Sequence, residues 1–294
     1  MATSDEFTRG GVVNYLIDLP VRGMFAMLGL LPYRASLALA GAIASRVLAP
    51  IFGANRRIRT NLAHVLPDLG ADEVKRLCRQ VSANSARLMV ESFRTADFIA
   101  HASRAELAGP GVAPLLEALE NRRPVVLVSG HFGNYQVLRV LLRARGFDTA
   151  AIYRPMNNAF TNKRYIDNMN RIATPNFPRG MKGTKGLLRH LRAGGAIALL
   201  NDQAALEGER LHFMGKPAMT MTSAAEFAIK HGALLIPYYG IRLENGVDFR
   251  VEVEAPISSG TPQEMTQALN DSLESRVRKY PSQWFWIHRR WKWT

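Results

Sequence analysis

Four short apolar runs punctuate the second half of the chain: PVVLVS at 124–129, DTAAIY at 148–153, AIALLN at 196–201 and ALLIPYYGI at 233–241. Each is bounded by turn formers or charges, the pattern of strands buried on both faces. Between them, apolar positions recur at helical spacing over about 135–145, 158–172, 183–193 and 221–232. VDFRVEVEA (247–255) alternates instead, and predicts a strand with one wetter face, at or near a sheet edge. A helix over 262–280 and an aromatic, basic tail follow. Strands alternating with helices predict an α/β fold with a central mixed, largely parallel sheet and helices on both faces.

The first part of the chain has a different rhythm. Residues 12–122 read as helical: two apolar segments, the basic stretch ANRRIRTNLAHVL, and a long amphipathic helix around 72–98. The expected organisation is therefore an N-terminal helical region, 1–122, with membrane-associating helices, and an α/β core, 123–294, joined as one continuous unit. Residues 20–53 are apolar but interrupted by Pro32, Arg34 and Arg46. They lack a clean run of about 20 uncharged apolar residues, so a pair of helices lying on or dipping into a membrane is favoured over a spanning helix. A pair of buried core helices is the other reading. The opening MATSDEFTRG has acidic residues where a secretory signal carries basic ones, and no signal peptide is expected.

Composition narrows the partners. Lys and Arg number 38 against 24 Asp and Glu, a formal net charge of +14. That excess suits a polyanionic partner such as nucleic acid, an anionic membrane face or phosphorylated substrates. Nucleic-acid recognition motifs are absent and the basic residues are spread along the chain, so no nucleic-acid partner is expected. A single cysteine, Cys78, rules out an internal disulfide framework and a cysteine-rich zinc site. The seven histidines are scattered without metal-ligand spacing, and no metal is expected.

The candidate chemistry lies in SGHFGNYQ, residues 129–136. It puts His131 where a buried strand ends and a helix begins, a position at which α/β folds commonly expose catalytic side chains. Gly130 and Gly133 allow a tight path around it, and Asn134 is a good N-cap for the next helix. Gln136 falls in that helix's first turn and could reach back to orient the imidazole. The simpler alternative is a histidine that only satisfies hydrogen bonds at a turn. There is no G-x-S-x-G elbow, no Walker loop and no G-x-G-x-x-G after a strand. A base without a protein nucleophile points to an acceptor hydroxyl or amine that is deprotonated and attacks directly.

SGHFGNYQ, YRPMNN (153–158), NDQAALEGERLHFMGKPAMTMTSAAEFA (201–228) and QWFWIHRRWK (283–292) together resemble the late acyltransferases of bacterial lipid A biosynthesis. That family lies within the wider glycerolipid acyltransferase group with its H-x-x-x-x-D/E motif. The resemblance runs from about residue 10 to 292. It implies a membrane-associated enzyme at the cytoplasmic face of a bacterial inner membrane, with no cofactor. Its donor would be an acyl carrier protein or coenzyme A thioester, and its acceptor a hydroxyl of a lipid A precursor or similar lipid. His131 would be the general base, and Arg154 would bind phosphate or carbonyl oxygen. Asp202, Gly215 and Lys216 would shape the acceptor and acyl pocket, with Asn134 beside them. Arg289 and Arg290, with Trp284, Trp286 and Trp291, would meet lipid headgroups, unless the tryptophans close the core. Alternatives are a different acceptor (lysophospholipid, glycolipid or amino lipid) and a non-catalytic lipid- or nucleic-acid-binding protein.

Gln136 departs from the family, which has a carboxylate there. An amide can hold an imidazole by a hydrogen bond but supplies no compensating charge. An engineered substitution, a natural branch with a weaker or borrowed acid, and a weakened or inactive lipid-binding member all fit. If another acid serves His131, Asp202 is the first candidate.

Overall fold

The computed structural model describes residues 10–293, so most of the MATSDEFTRG opening lies outside the described residues. The chain enters through α1 (Val12–Leu30) and α2 (Tyr33–Ile43), which runs on through a π-helical segment, Ala44–Leu48, into the short α3 (Ala49–Ile51). Next come α4 (Ala54–Val65), the long α5 (Ala71–Phe93) and α6 (Thr95–Ala102), then β1 (Glu106–Ala108) and α7 (Val112–Glu120). Strands and helices then alternate: β2 (Val125–Ser129), α8 (Val137–Ala144), β3 (Thr149–Tyr153), α9 (Ala159–Ile172), β4 (Asn176–Pro178), α10 (Met181–Arg192) and β5 (Ala196–Leu200). A hairpin of β6 (Glu209–Phe213) and β7 (Lys216–Thr220) leads to α11 (Ser223–His231), β8 (Leu234–Arg242), β9 (Phe249–Val253) and α12 (Pro262–Lys279).

The seven strands of the main sheet run in the order β1-β9-β8-β2-β5-β3-β4. β8, β2, β5, β3 and β4 are mutually parallel; β9 pairs antiparallel to β8, and β1 parallel to β9. The expected α/β architecture is present, and the alternating strand lies one place from the sheet edge. β2 shows why its run has no polar positions. Val125 and Leu127 pack on one face with Phe98, Leu115 and Leu138, while Val126 and Val128 pack on the other with Leu187, Ala224 and Leu269. Successive side chains alternate between two covered faces, so every position is apolar.

Three features escaped the periodicity. β1 and β4 are three residues each, too short to show a period. The β6–β7 hairpin turns on Met214 and Gly215, both at positive φ, as a two-residue loop. The helix expected over 72–98 breaks at Arg94, whose Nη1 donates to the carbonyls of Leu28 and Leu31 at the α1–α2 turn.

The N-terminal helices are apolar on the outside. Of α1, Asp18 and Leu28 are the buried residues, while Leu16, Ile17, Met27 and Leu30 are exposed. Ile43, Val47, Ile51 and Phe52 extend the apolar surface. By length and composition, Val12–Leu30 and Tyr33–Ile51 would each suffice to cross a bilayer. The apolar stretch is thus divided at Leu31–Pro32 into two helical segments, in keeping with the pair expected over 20–53, but the first begins earlier, at Val12. The inner face of α1 carries a buried carboxylate as well as the apolar Phe25 and Leu28. Asp18 accepts from Arg164 Nη1 and Nη2 (2.7 and 2.6 Å) and from Thr161 Oγ1 (2.6 Å), which pins α1 to α9. A helix with its carboxylate inward and its leucines outward is suited to an apolar exterior.

Candidate active site

His131 follows β2 by two residues, and Asp202 follows β5 by two residues. The strands are parallel neighbours with Ser129 opposite Leu200, so their extensions bring the two side chains together. The His131 ring Nδ1 lies 2.7 Å from Asp202 Oδ1, and its backbone N–H donates to Asp202 Oδ2 at 2.7 Å. Trp284 Nε1 donates to the same Oδ2 at 2.8 Å. A carboxylate can only accept, so the Nδ1 of the ring carries the proton and Nε2 presents its lone pair. That Nε2 faces a cavity of about 610 Å³, where Gln203 Nε2 stands 3.4 Å away. Among the described residues no hydroxyl or thiol is hydrogen-bonded to the ring.

The turn demands its glycines. A Cβ on Gly133, at φ +51, would lie 1.9 Å from the Gly240 carbonyl oxygen, and one on Gly130 would crowd Leu273 and Asp202. The C-terminal segment closes the other side. Gly133 N–H donates to the Gln283 carbonyl and Phe285 N–H to the His131 carbonyl, at 2.8 and 3.0 Å.

Burial pushes the Asp202 carboxyl up. The charge of His131, the ring and backbone hydrogen bonds and Trp284 outweigh this and hold it at about 2. Burial likewise opposes the imidazolium of His131, but the Asp202 charge and hydrogen bond raise its pKa above the ordinary value. The pair is a base whose conjugate acid is stabilised by a fixed, fully ionised neighbour.

The other expected site residues divide into those that line the cavity and those that do not. Arg154 lines it, from the end of β3, and donates to Asn157 Oδ1 at 3.3 Å. Gln136 lines it too, but the expected contact with the imidazole is not made. Its Oε1 accepts from Arg139 Nη1 at 2.9 Å, one turn along α8. Asn134 is buried away from the cavity: its Nδ2 donates to Glu91 Oε2 and its Oδ1 accepts from the Gln136 N–H. It caps the turn ahead of α8 rather than the helix itself. Gly215 and Lys216 lie exposed at the β6–β7 hairpin and do not line the cavity. Gly215 serves the positive φ of that turn.

Arg290 is corrected from headgroup contact to core, and Trp284 and Trp286 take the second of their two readings and close the core. Arg290 is fully buried, bonded to the Met219 carbonyl and Thr220 Oγ1, with its guanidinium over the Phe213 ring. Trp284 and Trp286 pack edge to face in the interior. Arg289 remains exposed. Sequence reasoning missed Gln203, the indole of Trp284 and the buried Glu91–Arg242 pair. The pair is bidentate at 2.5 and 2.8 Å, and Glu91 also holds Asn134. The one available signal was position: Gln203 follows Asp202 at a strand end.

The comparisons with known proteins give the class of the protein, an acyltransferase. Residues 9–293 match the model of the bacterial lipid A biosynthesis acyltransferase family, and the chain belongs to that family. A phosphatidylinositol mannoside acyltransferase of Mycolicibacterium smegmatis is 25% identical over 289 residues, covering 93% of each chain. A lipid A biosynthesis acyltransferase of Haemophilus influenzae is 22% identical over 180 residues, 60% of this chain and 56% of that one. A phosphatidylinositol mannoside acyltransferase of Mycobacterium tuberculosis is 24% identical over 187 residues, 62% of this chain and 58% of that one.

Proposed function

We propose that this acyltransferase moves a fatty acyl chain from an acyl carrier protein or coenzyme A thioester to a hydroxyl of a glycolipid acceptor, a lipid A precursor or a related lipid. His131 Nε2 takes the proton of the acceptor hydroxyl. The oxygen attacks the thioester carbonyl carbon, the new C–O bond forms, the C–S bond breaks, and the thiolate leaves with the proton that His131 returns. Asp202 stabilises the imidazolium between those steps and holds the ring tautomer. Arg154 binds an anionic or carbonyl oxygen at the cavity wall, where a planar guanidinium fork suits it.

The observation that carries this reading is the His131–Asp202 hydrogen bond, with Nε2 open to a cavity and no protein nucleophile bonded to it. A carboxylate on the ring also favours a working enzyme over a weakened one, although position 136 holds an amide.

The membrane part of the proposal rests on the apolar outer surface of α1 to α3 and on the +14 charge. These helices are read as lying at the cytoplasmic face of the inner membrane, as the family resemblance implies, and the tie of Asp18 in α1 to α9 holds the α/β core beside them. The positive charge draws the protein both to anionic lipid and to an acidic carrier protein.

The experiment is an acyl-transfer assay on purified protein with acyl carrier protein and coenzyme A donors against a panel of lipid acceptors, read by product mass. An acylated glycolipid, lost in His131→Ala, is the expected result. Transfer retained by folded His131→Ala overturns the mechanism.

A further inference from the structure

Arg139 is a buried cation at the cavity that the acyl-transfer chemistry leaves unused. It projects from α8, is 1% exposed, and lines the same cavity as His131. Its partners are all neutral oxygens: Gln136 Oε1 at 2.9 Å, the Thr149 carbonyl at 2.8 Å, Asn176 Oδ1 at 2.8 Å and the Ala173 carbonyl at 3.4 Å. Its Nε makes no hydrogen bond. Among the described residues no carboxylate forms an ion pair with it. Burial pushes its pKa down to about 10, so the charge persists at neutral pH.

A buried charge without a counter-ion is costly, and the cost falls when an anion is supplied. The surroundings point to the cavity as the source. Its wall carries Arg139, Arg154 and Arg179 and has no aspartate or glutamate. Gln136 stands between the cation and the space. Because a guanidinium only donates, Oε1 of that amide must be the atom facing Arg139. Its Nε2 then carries both N–H groups, has no partner among the described residues and is not sealed from the cavity. Polarised by the guanidinium behind it, that amide is a strengthened donor. A carboxylate at position 136 would remove the donor and pair with Arg139, cancelling the charge.

We propose that Gln136 and Arg139 form an anion subsite in the wall of the His131 cavity, which receives a phosphate ester of one of the two substrates. Gln136 Nε2 makes the contact and Arg139 supplies the charge from behind. The phosphate belongs either to the acceptor headgroup or to the phosphopantetheine arm of the donor. This rests on the proposed acyl transfer only for the identity of those substrates. The amide at position 136 is thus a specificity determinant.

The test is titration of the full chain with inorganic phosphate by calorimetry, for the wild type, Gln136→Glu and Gln136→Leu. Wild type is expected to bind one phosphate, with Kd raised roughly tenfold or more in Gln136→Glu and less in Gln136→Leu, which loses the donor but keeps the charge. Thermal unfolding should show Gln136→Glu as stable as wild type, since it gains a buried partner. No phosphate binding by wild type, or equal binding by wild type and Gln136→Glu, overturns the subsite. Phosphate binding kept in His131→Ala alongside unaltered transfer would sink the mechanism while leaving the subsite standing. The source is read from KM: Gln136→Glu should raise KM for 4′-phosphopantetheine thioesters but not pantetheine thioesters if the donor supplies the phosphate. If the acceptor supplies it, KM rises for phosphorylated but not dephosphorylated acceptors. A KM unchanged for all four overturns the assignment.

Discussion

His131 and Asp202 stand at matching heights on neighbouring parallel strands. Ser129 faces Leu200 in the ladder, and two further residues on each strand bring Nδ1 and Oδ1 to 2.7 Å. The geometry of the pair is therefore a property of strand register, and a slip of one residue in either strand would turn its side chain to the opposite face.

Replacing the carboxylate isolates its contribution. Asp202→Asn keeps the shape and should lower kcat by roughly 10²–10⁴-fold, because the amide cannot stabilise the imidazolium. The pH profile moves with it. His131 must be neutral to accept a proton, and its pKa is raised by Asp202. In wild type, kcat/KM should fall as pH drops through a value above the ordinary histidine pKa of about 6.5; in Asp202→Asn that limb should move to lower pH. The ion pair stabilises the fold fully below about pH 6.5, and this stabilisation is lost as pH rises through the raised folded value. Steady-state pH profiles of both proteins check this.

Arg154 is exposed at the cavity wall and, among the described residues, tied only to Asn157. Arg154→Ala should therefore leave stability unchanged within about 0.5 kcal/mol and raise KM for the anionic substrate by roughly tenfold, with a smaller change in kcat. Initial-rate kinetics against donor and acceptor separately identify which substrate it meets.

Glu91 and Arg242 carry a structural load beneath the His131 turn. Both are buried, and Glu91 also accepts from Asn134. Glu91→Ala leaves a buried guanidinium without its counter-ion and should destabilise the protein by about 3–5 kcal/mol. Asn134 loses its anchor at the same time, so activity should fall before the fold does. Denaturant unfolding followed beside turnover measures both.

The apolar exterior gives a separable prediction. Ile51 and Phe52 are 70% and 71% exposed, so changing both to Asp should cost the fold little. Vesicle binding should weaken by roughly 10²–10⁴-fold, since each of the two side chains contributes about 1.5–3 kcal/mol when buried in lipid. Sedimentation with phosphatidylglycerol vesicles, beside melting temperatures, decides it.

Much of the fold was legible because β2, β3, β5 and β8 are covered on both faces and leave uninterrupted apolar runs. β1 and β4 were not, since three residues carry no period. His131 was legible from the glycines that its tight turn requires. Its partner, Asp202, was legible only as the first candidate for a borrowed acid, because pairing depends on β5 lying beside β2, and strand order leaves no local trace in the chain. Gln136 shows the same limit from the other side. Its spacing of five residues suggested an approach to the imidazole, whereas the backbone turns its side chain toward Arg139. Arg290, Trp284 and Trp286 looked like part of an interfacial girdle by composition, and only packing shows that they are interior.

The residues that finish the His131 turn come from the far end of the chain: Gln283, Trp284 and Phe285 all bond to the turn or to Asp202. During synthesis, the apolar helices therefore leave the ribosome well before this closing segment. A nascent chain presents the apolar surface of α1 to α3 while His131 is still without its fixed setting. Assembly of the pair is thereby postponed until residues 283–285 have emerged, so a chain released before them would carry the apolar helices without the finished site.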